Sequence, residues 1–319
     1  MTLSGGFDSR TVLFMANRLG YKTTCFTMGE SNCNDIKIAS KICHDLKMEH
    51  LVYELDNGNF LFNIDAAIEA NGATILYPGF AHTFQMKSLI NFNDFGSIHS
   101  RDVGDLILGG SLVGNRAKID IRSAMYGIGY IDWFSEEFKE AEKHRYSDSF
   151  RFNYYNRGLN SAGNGCLATH YFTECSSPFV DRELCNVCFS IPEAQIEKHK
   201  VYLNYLKRYL PDSCNYIWEK TACKPGAGKL KRYIVKWKQR VKFHIFRQSI
   251  SMNPFEKWYR ENPDIKAYFD HIFQDAEIMK NDNPVLYEDL VKRFASSRVM
   301  DKSLACEVVA FIKKYDVKL

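Results

Sequence analysis

The sequence predicts an α/β protein, a doubly wound parallel sheet with a helical C-terminal extension. Three observations predict it. Strand-like and helix-like stretches alternate over residues 1–56. A glycine turn, Ser4-Gly5-Gly6-Phe7-Asp8-Ser9, joins the first strand-like stretch to the first helix. From Ser176 to the C-terminus the apolar spacing is mostly helical.

Each element has its own cause. Met1-Thr2-Leu3 is a stub of strand. Arg10 to Leu19 carries Val12, Leu13, Ala16 and Leu19 at helical spacing and stops at Gly20. Thr23 to Met28 is β-branched and aromatic, a buried strand closed by Gly29. Asp35 to Leu46 puts Ile36, Ala39, Ile42, Cys43 and Leu46 on one helical face. Leu51-Val52-Tyr53 is a third strand. Residues 60–96 are helical, interrupted at Gly72 and at Tyr77-Pro78-Gly79. Ser97 to Leu108 mixes strand and turn signals, and Glu136 to Lys143 is a solvated helix. No repeat or linker marks a boundary. The expected division is an α/β unit over 1–245 and a helical extension over 246–319.

Composition narrows the class. In 319 residues, 42 Lys and Arg stand against 38 Asp and Glu, too even a balance to imply nucleic acid by itself. Ten scattered cysteines and no secretory signal fit reduced thiols in the cytoplasm. No run of about 18 apolar residues spans a membrane.

The Ser4–Ser9 loop carries the chemistry. In a parallel sheet, ligands bind at the carboxyl ends of strands, where this loop lies. Its glycines let backbone N–H groups turn inward toward an anion, and the helix dipole adds positive charge. Ser4 and Ser9 offer hydroxyls. Asp8 repels a bare phosphate and fits only if a divalent cation bridges it to phosphate oxygens. The plain alternative is a capped helix, with Asp8 or Ser9 as N-cap.

The string resembles the SGGxDS pyrophosphate loop of the ATP pyrophosphatase (PP-loop) superfamily, whose fold is adenine nucleotide alpha hydrolase-like. Four further stretches resemble the synthetase domain of asparagine synthetase. Thr24-Cys25-Phe26-Thr27-Met28-Gly29, followed by Asp35, Ala39 and His50, is similar to the strand that lines the adenine site there. Ser100-Arg101-Asp102-Val103-Gly104-Asp105-Leu106-Ile107-Leu108-Gly109-Gly110 resembles S-G-E-G-A-D-E-L-F-G-G, with Arg101 and Leu106 departing from it. Thr173 to Asp181 resembles L-E-x-R-x-P-F-L-D; there Pro178 ends one element, Phe179 packs and Asp181 caps the next helix. Lys220-Thr221-Ala222-Cys223-Lys224-Pro225-Gly226-Ala227-Gly228 is in register with K-E-Q-F-S-D-G-V-G.

The resemblance implies ATP and Mg²⁺ as cofactors. It implies nucleotide contacts at Leu3, Ser4, Gly5, Gly6, Asp8, Ser9, Thr27, Met28, Gly29 and Gly104. It implies metal ligation by Asp8 and Asp105, and catalytic work by Asp102 and Lys220. The implied reaction adenylates a small carboxylate, by resemblance aspartate or an analogue, and transfers ammonia to it. The glutaminase half of that family begins with a cysteine at its second position. Here residue 2 is Thr2, so the expected nitrogen source is free ammonia, a separate glutaminase or a part of the protein upstream of Met1.

Plainer roles stand beside these. Asp102 also suits a turn, His50 a strand edge, Lys220 a basic run, and Arg157 either a carboxylate or a surface ion pair. Cys185 and Cys188 fit two core cysteines on one helix face better than a metal pair. Lys220 to Arg247 holds ten Lys and Arg and no acid. It suits a solvated helix whose lysine stems cover an apolar face, ahead of an anionic partner. Two rival functions remain: a non-catalytic remnant with a damaged first strand and little ATP binding, and a PP-loop enzyme that modifies nucleic acid.

Overall fold

The computed structural model describes residues 1–109, 118–121, 136–246 and 251–318, without the side chains of 56 and 239–246. Gly110 and Arg247 fall outside this set. The chain is a mixed α/β fold, mostly helical, with small parallel sheets. Strand β1, Cys25–Gly29, pairs in parallel with β2, His50–Glu54. On the other side of β1, Leu3 donates to the Phe26 carbonyl and Phe26 to the Met1 carbonyl, each at 2.8 Å. The Met1–Leu3 stub is therefore tied to the sheet, and the loop that follows starts from a fixed point. Strand β3, Ile98–His99, pairs in parallel with β4, Cys175–Ser176. The parallel pairing agrees with expectation. Among the described residues it takes the form of two short sheets.

The first helices follow the sequence closely. Helix α1 spans Phe7–Arg18 and α2 spans Asn34–Leu46. Both bury apolar faces around β1, where Leu13, Cys25, Ile42 and Ala39 are fully buried. Helix α3, Ile64–Asn71, ends at Gly72, which takes the left-handed conformation at φ 60°. Helix α4, Tyr77–Ser88, corrects one expectation. Tyr77-Pro78-Gly79 does not interrupt a helix but opens one, with Pro78 in the first turn, where its missing N–H costs nothing. Helix α5, Glu136–Arg145, buries no residue, as expected of a solvated helix.

C-terminal residues complete the largest core. Trp258, Ile265, Phe269, Val299, Cys306 and Ala310 pack with Phe26, Met28 and Phe80. Each buried aromatic or aliphatic side chain contributes about 1.5–3 kcal/mol. The Val299–Tyr315 helix thus lies against α3 and α4 and forms part of the wall described below.

Pro178 to Asp181 behaves as expected. Phe179 is buried, and the Asp181 carboxylate accepts from the Leu184 N–H at 2.9 Å, capping the Arg182–Ser190 helix. Cys185 and Cys188 are buried on that helix among Phe150, Phe179 and Phe189. Among the described residues, no group of three or more His, Cys, Asp and Glu could hold a metal. The basic segment differs from expectation. On the Lys229–Phe246 helix, Leu230, Tyr233, Ile234 and Trp237 are exposed, so the lysine stems cover no buried apolar face there. No helix among the described residues is long and apolar enough to cross a membrane.

Candidate active site

The Ser4–Ser9 loop is built by its own side chains. The Ser4 N–H donates to Ser9 Oγ at 3.1 Å, and the two hydroxyls lie 3.2 Å apart. The Gly6 N–H donates to Ser4 Oγ at 3.3 Å, and the Gly5 N–H to Asp35 Oδ1 at 2.9 Å. Ser9 is completely buried. The helix N-cap is Gly6, and no side chain caps it. The capped-helix alternative is therefore corrected. Neither Asp8 nor Ser9 occupies the N-cap, and the first turn of α1 keeps uncapped donors suited to an anion.

Arg10 locks this loop to a distant segment. It is fully buried and donates to four carbonyls: Gly5 at 3.0 Å, Ser213 at 3.1 Å, Tyr216 at 3.3 Å and Ile217 at 2.6 Å. Burial pulls its guanidinium down to about 10, against the pull of Glu219. Gly5 is required here, because a Cβ would sit 2.8 Å from Glu219 Cβ and from Ile38 Cδ1. The docked segment brings Trp218 onto Phe7, stacked at 4.3 Å, and Lys220 Nζ lies 5.6 Å from the Trp218 ring. Lys220 is exposed, beside the Trp218 ring that stacks on Phe7.

Asp8 and Asp105 meet as the resemblance implies. The Asp105 N–H donates to Asp8 Oδ2 at 3.0 Å. Burial, with the Asp105 carboxylate second, pushes Asp8 up to about 7. Gly104 makes the approach possible, since a Cβ there would lie 2.7 Å from Asp8 Cγ and 2.9 Å from Phe179 Cε2. Two carboxylates forced together are suited to a hard divalent cation. These oxygens fit magnesium, which is commonly held by one or two carboxylates together with substrate phosphates.

Three neighbours carry no sequence signal. His199 Nδ1 lies 3.5 Å from Asp105 Oδ1 and makes no hydrogen bond among the described residues. Its backbone is left-handed at φ 58°, as is that of Lys198 at φ 55°, which costs about 1–2 kcal/mol per residue. Tyr202 is hydrogen-bonded to Thr11 at 3.0 Å and lies against Asp8. Arg10 stands in the motif itself, but its partners are about 200 residues away. None is flagged by local spacing.

A cavity of about 640 Å³ opens beside the loop. Leu3, Ser4, Met28 and Asp102 line it. Burial raises the Asp102 carboxyl above its ordinary range, and the Asp102 carbonyl accepts from Ser177 Oγ at 2.9 Å. Thr27 and Gly29 do not line the cavity. The Thr27 hydroxyl donates to the Leu3 carbonyl at 2.9 Å and meets His50 Nε2 at 2.8 Å, so His50 has the strand-edge role. The Gly29 carbonyl accepts from the Leu55 N–H. Arg157, half-buried on the Tyr154–Ala162 helix, is also absent from the cavity wall.

Residues 1–151 match the family model "Asparagine synthase". The resemblance to an asparagine-synthetase-like synthetase domain holds over that stretch, which contains the loop, Asp102 and Asp105. Such a domain suggests an ATP-dependent ligase of amidotransferase type. No curated protein matches the chain. Lys220, Tyr202, His199 and the Val299–Tyr315 helix lie beyond the matched stretch of the asparagine-synthase-type domain.

Proposed function

We propose that the chain is an ATP-dependent amide ligase that adenylates a small carboxylate and passes ammonia to the activated acyl group. The observation that carries this is the Asp8–Asp105 pair, joined by one N–H bond at the uncapped end of α1; neither residue lines the cavity, whose wall reaches these two segments at Leu3, Ser4 and Asp102. Asp8 and Asp105 would hold a magnesium ion, which when bound offsets the charge of the β and γ phosphates. The uncapped turn of α1 receives phosphate oxygens. A substrate carboxylate oxygen attacks the α-phosphorus, the bond to the pyrophosphate oxygen breaks, and an acyl-adenylate forms. Lys220 is placed to meet the negative charge that appears on pyrophosphate in that step. Ammonia then attacks the acyl carbon, loses a proton, and AMP leaves. Asp102, on the cavity wall with a raised carboxyl, is placed to take that proton.

Aspartate is the first acceptor to try. The test is pyrophosphate release with ATP, Mg²⁺ and ammonium across a panel of carboxylates. Stimulation by one carboxylate with stoichiometric amide formation supports the proposal. A flat panel with aspartate inert removes aspartate as acceptor.

A further inference from the structure

The cavity beside the loop has a second wall, made by α4 and the Val299–Tyr315 helix. Four ionisable side chains besides Asp102 reach it: His82, Lys87, Arg101 and Glu307. Two of them already have visible partners. His82 Nδ1 meets the Pro78 carbonyl at 3.2 Å, and Lys87 Nζ donates to Thr169 Oγ1. Glu307 differs. Its Oε2 accepts from the Tyr77 N–H at 2.9 Å, which tethers the start of α4. Its Oε1 is buried and makes no hydrogen bond among the described residues. The residue is only 3% exposed. Leaving such a group unsatisfied costs about 1–3 kcal/mol, and because Glu307 lines the cavity, a small turn of its side chain brings Oε1 to what enters there.

We propose that Glu307 reads the bound ligand, its free Oε1 pairing with an amino group that the ligand presents to the helical wall. The inference rests on the cavity being the adenylation pocket. It assigns specificity to a residue far outside the stretch that matches the family. Amino groups of this chemistry come from two sources in such a reaction, the exocyclic amine of adenine and an amine on the carboxylate acceptor. On the same two helices the cavity is lined by Phe80, Met300 and Leu304 and by the polar His82 and Thr83; the His82 ring meets the Pro78 carbonyl through Nδ1. Burial pushes Glu307 up to about 8, and an amino group donating to Oε1 favours the ionised form, which accepts at both oxygens.

The experiment uses Glu307→Gln in the whole protein. The amide oxygen can keep the tether to the Tyr77 N–H, while its NH₂ turns the free position from acceptor to donor. Thermal unfolding of the variant should occur no lower than in wild type, whereas Glu307→Leu, which loses the tether, should melt below Glu307→Gln. Binding of ATP and of inosine 5′-triphosphate is measured by calorimetry, and acceptor KM by pyrophosphate release. If adenine is read, Glu307→Gln weakens ATP about tenfold and shifts preference toward the inosine nucleotide. If the acceptor amine is read, both nucleotides bind as in wild type and acceptor KM rises about tenfold or more with little change in kcat. Unchanged nucleotide affinity and unchanged acceptor KM in a stably folded Glu307→Gln protein overturn the inference alone. A wild-type protein that binds neither nucleotide overturns the ligase proposal, and the inference with it.

Discussion

The two walls of the cavity are built on opposite principles. The loop wall is shaped mainly by its own residues, with long-range ties from the Gly5 N–H to Asp35 and from Arg10 to the Ser213–Ile217 carbonyls. Ser4, Gly6 and Ser9 satisfy one another within six residues, and Arg10 fastens the assembly from the next position. The helical wall is assembled from afar and left open, with Tyr77 and Glu307 meeting across 230 residues and one carboxyl oxygen unused. A phosphate chain is the same in every ATP, so the loop can be fixed in advance. On the proposed function the opposite wall would face the part of the reaction that varies, where an unsatisfied acceptor would be a means of selection.

The largest way to break this contrast is at Asp8. Asp8→Asn removes one of the two carboxylates proposed to hold magnesium. Turnover should fall by about a thousandfold or more, read as pyrophosphate release, while the fold persists. No loss would mean that the loop wall is not where the phosphates bind. The next effect is structural. Arg10→Met removes the side-chain donor from the carbonyls of Gly5, Ser213, Tyr216 and Ile217. We expect a loss of about 2–4 kcal/mol in urea unfolding and a higher KM for ATP, because the Trp218–Lys220 segment comes loose. Gly104→Ala drives a Cβ into Asp8 and Phe179, and overpacking of this kind costs about 1–3 kcal/mol. Activity should fall more than stability there, since Asp8 is the movable neighbour. A purely structural loss in Gly104→Ala would weaken the case for the Asp8–Asp105 pair.

The smallest effect sharpens the contrast through pH. Glu307 ordinarily titrates near 4.5 and is raised to about 8 in the folded chain, and Asp8 moves from 3.8 to about 7. Over the window between, the unfolded chain has released protons that the folded chain keeps, so stability falls as pH rises. His82, lowered from 6.5 to about 4, acts in the opposite sense, its stabilisation being lost as pH falls below 6.5. The window from pH 6.5 to 8 is therefore free of the His82 effect. In metal-free buffer, urea midpoints should decline across it. Glu307→Gln should flatten the slope, Asp8→Asn should flatten its lower part, and an unchanged slope in both would show that neither group is held protonated.

How far the sequence reached follows from the same contrast. The loop was legible because a Gly-Gly turn after a strand and before a helix is chemistry written in consecutive residues. The Asp181 cap and the buried Cys185–Cys188 pair were legible for the same reason. The opening of α4 was misread because Pro-Gly signals a break and a start alike, and only packing decides. Trp237 and its neighbours were read as covered because periodicity reports an apolar face and not what lies against it. His199, Tyr202 and Glu307 had no local pattern at all; their roles arise from contacts closed only when distant segments pack.

The central claim is that the Ser4–Ser9 loop and the Asp8–Asp105 pair direct cleavage of ATP between its α and β phosphates. The most direct measurement is the identity of the nucleotide product. ATP labelled at the α-phosphate is incubated with the protein, Mg²⁺, ammonium and a stimulating carboxylate, and the products are separated. The account predicts labelled AMP in step with amide, and none from Asp8→Asn. Labelled ADP, or labelled AMP formed equally well by Asp8→Asn, would contradict it.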